Sequence, residues 1–385
     1  CRACSTPVCG CASEGYAGVR SLLLVLHRWV GLTIAAAVVI TGLTGAVIPY
    51  QDQIRSLLAP EVWNVDPPTP DAQPLSGLQI MRIVEADSGG KASFMPLVPD
   101  GDHAQSVFVS PAPDGSPLEY EQAFVDPFTG EIRARVRFAD LRDGAINVAP
   151  FLVLIHYSLA AGETGRLLLG IAALLWAVVA LIGLVLTLPR AGTGGWRVAM
   201  ERWKPAWRSR RGRGSRVFLY DLHRAVGLWI WPAMLVFAWS AVAFNLAEVH
   251  RPLQRLLGAE GLYQPVVNPA PAPDEPMSAG EAVVVGEELM AREAERQGFT
   301  IHEPEAISLR PYAQVIGYYA RTSLDGPAEQ GSTAVWFDQV SGEQVKFEHP
   351  YGATGADAFD KALRLLHTGD LFGWPLKILI SLFGL

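Results

Sequence analysis

Four histidines stand inside or beside apolar runs, and they come in matched pairs. His27 sits in LHRWVGL (26–32) and His223 in LHRAVGL (222–228), while His156 sits in LIHYSL (154–159) and His367 in LLHTGD (365–370). Between the members of each copy lies a turn-like segment, VDPFTGE (125–131) and then FDQVSGE (337–343), so the chain is a tandem duplication. An ionisable side chain within a membrane span costs ~2.5–3.5 kcal/mol at the centre and less near the ends, so some gain must offset it. Parallel repeats related by an axis along the membrane normal bring His27 opposite His223 and His156 opposite His367. Two imidazoles on opposite faces of one plane are the ligand set of a low-spin b-type haem, which has no open position and suits electron transfer. The expectation is therefore two b-type haems, with His27 and His223 as axial iron ligands of one and His156 and His367 of the other.

The residues around these histidines fit that chemistry. Gly31 and Gly227 follow the first pair by four residues, on the same helix face, and leave room for a flat macrocycle. The plainer alternative is helix packing through small residues, with Gly42 and Gly45 serving similarly. Arg28, Arg224, Glu163 and Asp370 are candidates for orienting ligands or holding propionates. Arg166 and Lys377, each ten residues beyond an outer histidine, are candidates for propionate or interface contacts, with Gly-rich turns between at Gly162–Gly165 and Gly369–Gly373. The competing reading of His156 and His367 is interfacial histidines at helix starts. Zinc or copper prefers shells with carboxylate or thiolate, which do not recur here apart from Glu163 and Asp370. No C-x-x-C-H occurs, which excludes covalent haem attachment. His103, His302 and His349 fall in polar regions where surface positions are the default. His250, beside Arg251-Pro252, has no counterpart in the first half and is a weaker candidate for touching the outer haem.

The elements that must hold these side chains follow from hydropathy. Half the 385 residues are hydrophobic and 18% are charged, with a mean hydropathy of +0.22, which fits membrane spans alternating with polar regions. The expected order is a disordered cytoplasmic tail (1–20), a first span (21–50) ended by Pro49, a polar region (51–150), an outer histidine segment and second span (151–188), a basic loop (189–216), a third span (217–248), a second polar region (249–362), and an outer histidine segment opening a fourth span (363–385) that the chain leaves incomplete. Pro232 lies inside the third span, and Arg166 and Arg190 bracket the second as snorkelling residues.

Nine basic residues and one acid lie between Pro189 and Val217, against fifteen acids and seven basic residues between Gln51 and Pro150. The positive-inside bias puts the basic loop in the cytoplasm and the polar regions outside. Set between two spans, the loop reads as a topology anchor or anionic-lipid contact and not as a nucleic-acid surface. All four cysteines (Cys1, Cys4, Cys9, Cys11) lie in the tail with poor metal spacing.

Each polar region reads as a small α+β unit. The first has a helix at Leu75–Ala86, strands at Gln105–Ser110, Gln122–Val125 and Glu131–Phe138, and a turn over 126–130. The second has a helix at Ser278–Gln297, strands near Ala306–Arg310, Val315–Arg321 and Thr333–Asp338, and a turn at Gln339–Gly342.

The motifs LHRWVGL, LIHYSLAAGETGRLLLG, LHRAVGLWIWP and LLHTGDLFGWPLK, with the two DPFTGE-like turns, resemble the PepSY-associated transmembrane-helix proteins, bacterial iron-regulated inner-membrane proteins that include di-haem ferric-siderophore reductases. The likeness runs over nearly the whole chain from Leu22. It implies a four-span membrane α-helical bundle with two periplasmic PepSY domains, bis-histidine haems on the four residues above, and electron delivery to a ferric siderophore or other periplasmic acceptor from a cytoplasmic or quinol donor. Two rivals stay open. One is a haem-free PepSY membrane protein that binds or regulates an envelope partner. The other is a transporter, which parallel repeats favour but unbroken spans without midplane charge do not.

Overall fold

The computed structural model describes residues 8–99, 101–111, 117–189, 195–210, 212, 214–259, 266–267, 276–326 and 333–384. In chain order the helices are α1 (Val8–Val47), α2 (Gln51–Leu58), α3 (Pro60–Trp63), α4 (Gly77–Ser88), α5 (Val148–Ser158), α6 (Gly162–Thr187), α7 (Gly195–Trp203), α8 (Ser215–Asn245), α9 (Ala247–Leu256), α10 (Ala279–Gln297), α11 (Gly355–Thr368) and α12 (Trp374–Gly384). The strands are β1 (Lys91–Ala92), β2 (Phe94–Pro96), β3 (Gln105–Ser110), β4 (Gln122–Val125), β5 (Ile132–Val136), β6 (Ile301–Arg310), β7 (Val315–Thr322), β8 (Thr333–Asp338) and β9 (Gln344–Glu348). They fall into two units, one of residues 1–43, 157–251 and 384, the other of 44–156, 252–383 and 385.

The first unit is helical. Among the described residues, three helices are long and apolar enough to cross a membrane: Gly18–Leu58, which continues past residue 43 into the second unit, Gly162–Thr187 and Ser215–Asn245. Helices α6 and α8 run antiparallel, since Gly170 lies against Leu246 and the Trp231 indole donates to the Ala180 carbonyl at 3.0 Å. A Cβ at Gly170 would stand 2.5 Å from Leu246 Cγ, so the helices approach more closely there than any other residue allows. Ala173, Val242 and Leu246 form the buried contact beside it.

Three sequence expectations change. Pro49 does not end the helical path that the first span opens, because it falls at the start of a short 3₁₀ turn (Ile48–Tyr50) that leads from α1 into α2; a proline in a first turn gives up an N–H that would have no partner anyway. Residues 8–20 of the expected tail are helical, since a nucleated helix gains one hydrogen bond per added residue. Gly162–Gly165 and Arg166 lie inside α6 and not ahead of it. The fourth apolar segment is α12, eleven residues long, or about 16 Å at the helical rise, and Lys377 lies within it. Pro232 is accommodated inside an unbroken α8. Cys1, Cys4 and Arg190 lie outside the described residues, as do the side chains of Cys9 and Cys11.

The second unit carries two antiparallel sheets, β1-β3-β4-β5 and β2-β6-β7-β8-β9. The duplication survives in their hydrogen bonds. Asp126 Oδ1 accepts from the Phe128 and Thr129 amides, and Asp338 Oδ1 from those of Val340 and Ser341. Gly130 (φ +75°) and Gly342 (φ +72°) close the two turns in the left-handed region. Each turn then pins a helix start: Leu75 N donates to Pro127 O at 2.7 Å, and Met277 N to Gln339 O at 2.8 Å. One residue later come matching capping boxes, Ser76 with Gln79 and Ser278 with Glu281.

The sheets stay separate, but the two polar regions share a core. Strand β2, from the first region, pairs with β6 of the second through Phe94↔Ser308, Met95↔Ile307 and Pro96↔Ala306. Met95, Met81 and Ile80 are fully buried in one cluster with Met290, Ile307 and Val335. Side chains of that size contribute about 1.5–3 kcal/mol each on full burial, which explains why a three-residue strand crosses over.

Candidate functional site

Within the first unit, α1 carries His27 and α8 carries His223, and their ring centres stand 6.1 Å apart with planes at 62°. Two metal–nitrogen bonds of about 2.0 Å, each extended by roughly 1.1 Å from ring nitrogen to ring centre, put two imidazoles on one metal ~6.2 Å apart. The observed spacing agrees. His27 Nδ1 lies 3.0 Å from the Val179 carbonyl of α6. A carbonyl can only accept, so Nδ1 carries the proton and Nε2 keeps a lone pair, the kind of donor a metal takes. That carbonyl is reachable because of the residue four positions later: a Cβ on Gly183 would come within 3.0 Å of His27 Cε1. At Gly31 and Gly227, by contrast, a Cβ would meet nothing within 4 Å, so open space borders both histidine-bearing helices. Gly183, not Gly31, is what lets the ring seat.

Within the second unit, His156 of α5 and His367 of α11 repeat the arrangement, with ring centres 6.1 Å apart and planes at 67°. Thr44 Oγ1 lies 3.2 Å from His156 Nδ1, and a Cβ on Gly45 would stand 2.7 Å from His156 Cε1. A residue without a side chain thus backs one ring of each pair. Burial, then His156 and Arg364, push His367 down to about 4, which keeps its imidazole neutral, the form that ligates. In the second sequence copy Ser240 holds the register of Thr44, seventeen residues after the first histidine. Its buried hydroxyl donates to Val236 O at 2.7 Å.

Among the described residues, no group of three or more His, Cys, Asp or Glu side chains gathers to hold a metal ion. A pair of imidazoles fills only two positions of an octahedral shell, so the donor set suits an iron whose other four ligands come with it. The predicted cations are mostly engaged. Arg224 donates to Asp221 Oδ1 at 3.0 Å and to Pro205 O at 3.1 Å. Arg166 pairs with Glu163 at 2.9 Å and Lys377 with Asp370 at 3.1 Å, so those two acids meet cations and not imidazoles. Arg28 is exposed, with its guanidinium 5.4 Å from the Trp29 ring centre.

The other histidines are placed by packing: His103 stacks on Trp63 at 4.2 Å, His250 is buried against Trp239, His302 is exposed, and His349 accepts from the Tyr351 amide. Sequence reasoning missed Val179, Gly183 and Thr44, and read Gly45 only as a packing residue. Asp221, visible in the sequence only as a charge interrupting the third span, is a fully buried carboxylate that holds Arg210 at 2.6 Å as well as Arg224. A hydroxyl recurring at one register in both copies was the signal available for Thr44.

The family described as the PepSY-associated TM region matches residues 24–385. An uncharacterized protein of Pseudomonas aeruginosa is 30% identical over 98 residues, which make up 26% of this chain and 22% of that protein. The chain therefore spans about a fifth of the length of the curated relative it matches.

Proposed function

This chain belongs to the family of the PepSY-associated TM region, and from that premise we propose that it is a haem-dependent membrane oxidoreductase. In this reading His27, His223, His156 and His367 would hold two b-type haems, whose chemistry would serve electron transfer across a bacterial inner membrane to a periplasmic acceptor, a ferric siderophore. The observation that carries it is the repetition of one geometry: two imidazole pairs, one in each unit, both at 6.1 Å.

The chain's own residues do the positioning. The Val179 carbonyl fixes the tautomer of His27, and a hydrogen-bond acceptor on the far ring nitrogen makes the ligating one more basic. Thr44 and Gly45 set the plane of His156. Arg28, which makes no ion pair among the described residues, is the cation left to meet a propionate. Gly31 and Gly227 leave open the space a macrocycle needs. Bound between such pairs, a haem would supply reversible one-electron transfer.

Hard oxygen ligands hold Fe³⁺ more tightly than the softer Fe²⁺, so one electron delivered to a ferric siderophore loosens its iron. The donor is a cytoplasmic reductant or a quinol. The basic loop faces the cytoplasm and the sheets face the periplasm, following the positive-inside bias.

A reduced-minus-oxidised spectrum with haem-to-protein stoichiometry tests this reading. Two haems per chain are expected, falling to one in His156→Ala, with loss of ferric-siderophore reduction by protein in vesicles. A colourless protein, or a variant that keeps both haems, overturns it. The colourless outcome would favour instead a haem-free protein whose sheets bind an envelope partner.

A further inference from the structure

The basic loop contains a helix, α7, most of whose surface is left uncovered among the described residues. In α7 the apolar residues Trp196, Ala199, Met200 and Trp203 recur at i, i+3, i+4 and i+7, which places them on one face. Every α7 residue except Trp203 is exposed, and Trp196 is 74% so. A nine-residue helix does not hold itself in water, and an exposed stripe ending in tryptophan needs a cover.

Its position says what the cover is. The Trp203 indole donates to Thr187 Oγ1 at 3.2 Å, at the last residue of the candidate span α6. Trp203, Trp207 and Trp229 form an edge-to-face series with ring centres 5.2 Å apart at each step. Trp229 belongs to α8, the next candidate span, and its indole donates to Trp207 O at 3.3 Å. The loop is therefore tied to the last residue of one span, α6, and through Trp229 to the flank of the next; an indole held at a span's end lies at the depth at which tryptophan belts meet lipid headgroups.

Charge identifies the lipid. Arg210 and Arg224 are consumed by Asp221, and Lys204 by Glu201. Arg197, Arg202 and Arg208 are exposed and make no ion pair among the described residues. At 100° per residue, Arg197 and Arg202 fall on either side of the apolar stripe, where their stems can lie along it and their heads can reach phosphates. We infer that α7 lies in the membrane interface and that Arg197, Arg202 and Arg208 bind anionic phospholipid headgroups. This inference does not depend on the redox reading.

The experiment uses the purified protein in nanodiscs made of phosphatidylcholine alone or with phosphatidylglycerol, and measures phosphatidylglycerol retained after extraction into detergent. Arg197→Gln/Arg202→Gln/Arg208→Gln should weaken that retention about a hundredfold, at roughly fivefold per cation, and leave phosphatidylcholine unchanged. The triple lysine variant should retain the anionic lipid. Trp196→Ser keeps all three cations and removes the apolar anchor, and should weaken retention of both lipids. The inference fails if the triple glutamine variant retains phosphatidylglycerol like the parent, if the parent holds both lipids equally, or if inorganic phosphate displaces the lipid at matched concentration. Circular dichroism and gel filtration of each variant show whether a loss comes from misfolding; if the glutamine variant misfolds, loss of phosphatidylglycerol preference by the folded single variants decides.

Discussion

Gly45→Ala separates the geometry of the outer histidine pair from the stability of the helix that supports it. The added Cβ would sit 2.7 Å from His156 Cε1 and 3.2 Å from Nδ1, whereas ordinary carbon contacts begin at roughly 3.5 Å. The imidazole must withdraw by about 0.8 Å, several times the ~0.2 Å within which metal–ligand distances hold. Stability changes little, because alanine gains about 1 kcal/mol over glycine inside a helix and local overpacking costs about 1–3 kcal/mol. On the proposed haem reading, the expected result is a folded protein, with Tm lowered by a few degrees at most, that no longer gives a low-spin signal from the His156–His367 pair. The assay is haem stoichiometry and low-temperature paramagnetic resonance of Gly45→Ala in a His27→Ala/His223→Ala background, where only the outer pair remains. An unchanged axial signal there would refute the reasoning. Gly31→Leu should give the complementary result: its Cβ meets no protein atom within 4 Å, so the fold tolerates it, and on the same reading only the haem proposed at His27 and His223 is lost.

The remaining expectations concern the scaffold. Asp87, bonded to Arg135 (Nε–Oδ2 2.7 Å) and to the Tyr120 hydroxyl, is held down to about 2, chiefly by Arg135. Its carboxylate therefore adds stability that is complete above pH ~4 and is lost as pH falls through about 2; Asp87→Asn should be less stable above pH 4 and show a shallower acid loss in chemical denaturation. Gly170→Val forces a side chain into the 2.5 Å approach to Leu246 and should cost about 1–3 kcal/mol, read as faster thermal inactivation in detergent. Ala160 holds φ +54° in the link between α5 and α6, a conformation that costs an L-residue roughly 1–2 kcal/mol; Ala160→Gly should raise Tm slightly, and a fall would show the strain lies elsewhere.

Much of the architecture was legible because its signals are local. The strands at Gln105–Ser110, Gln122–Val125 and Thr333–Asp338 end where alternation and turn residues place them, and the two Asp-to-Gly turns were visible as copies. Strand β2 was not legible: three residues ending in proline carry no periodicity, and only the buried cluster shared with α10 and β6 explains it. Gln344–Glu348 was missed because it follows its turn closely and leaves no gap in the pattern.

The sequence by itself determined that four histidines recur in register on two copies of one membrane unit, since side-chain identity, spacing and apolar length are written in the chain. Tertiary structure alone decided what seats them. The lone pair on the Val179 carbonyl, the missing side chains of Gly183 and Gly45, and the hydroxyl of Thr44 become a cradle only when helices far apart in sequence come within hydrogen-bond reach, because a backbone acceptor and an empty volume have no residue type of their own.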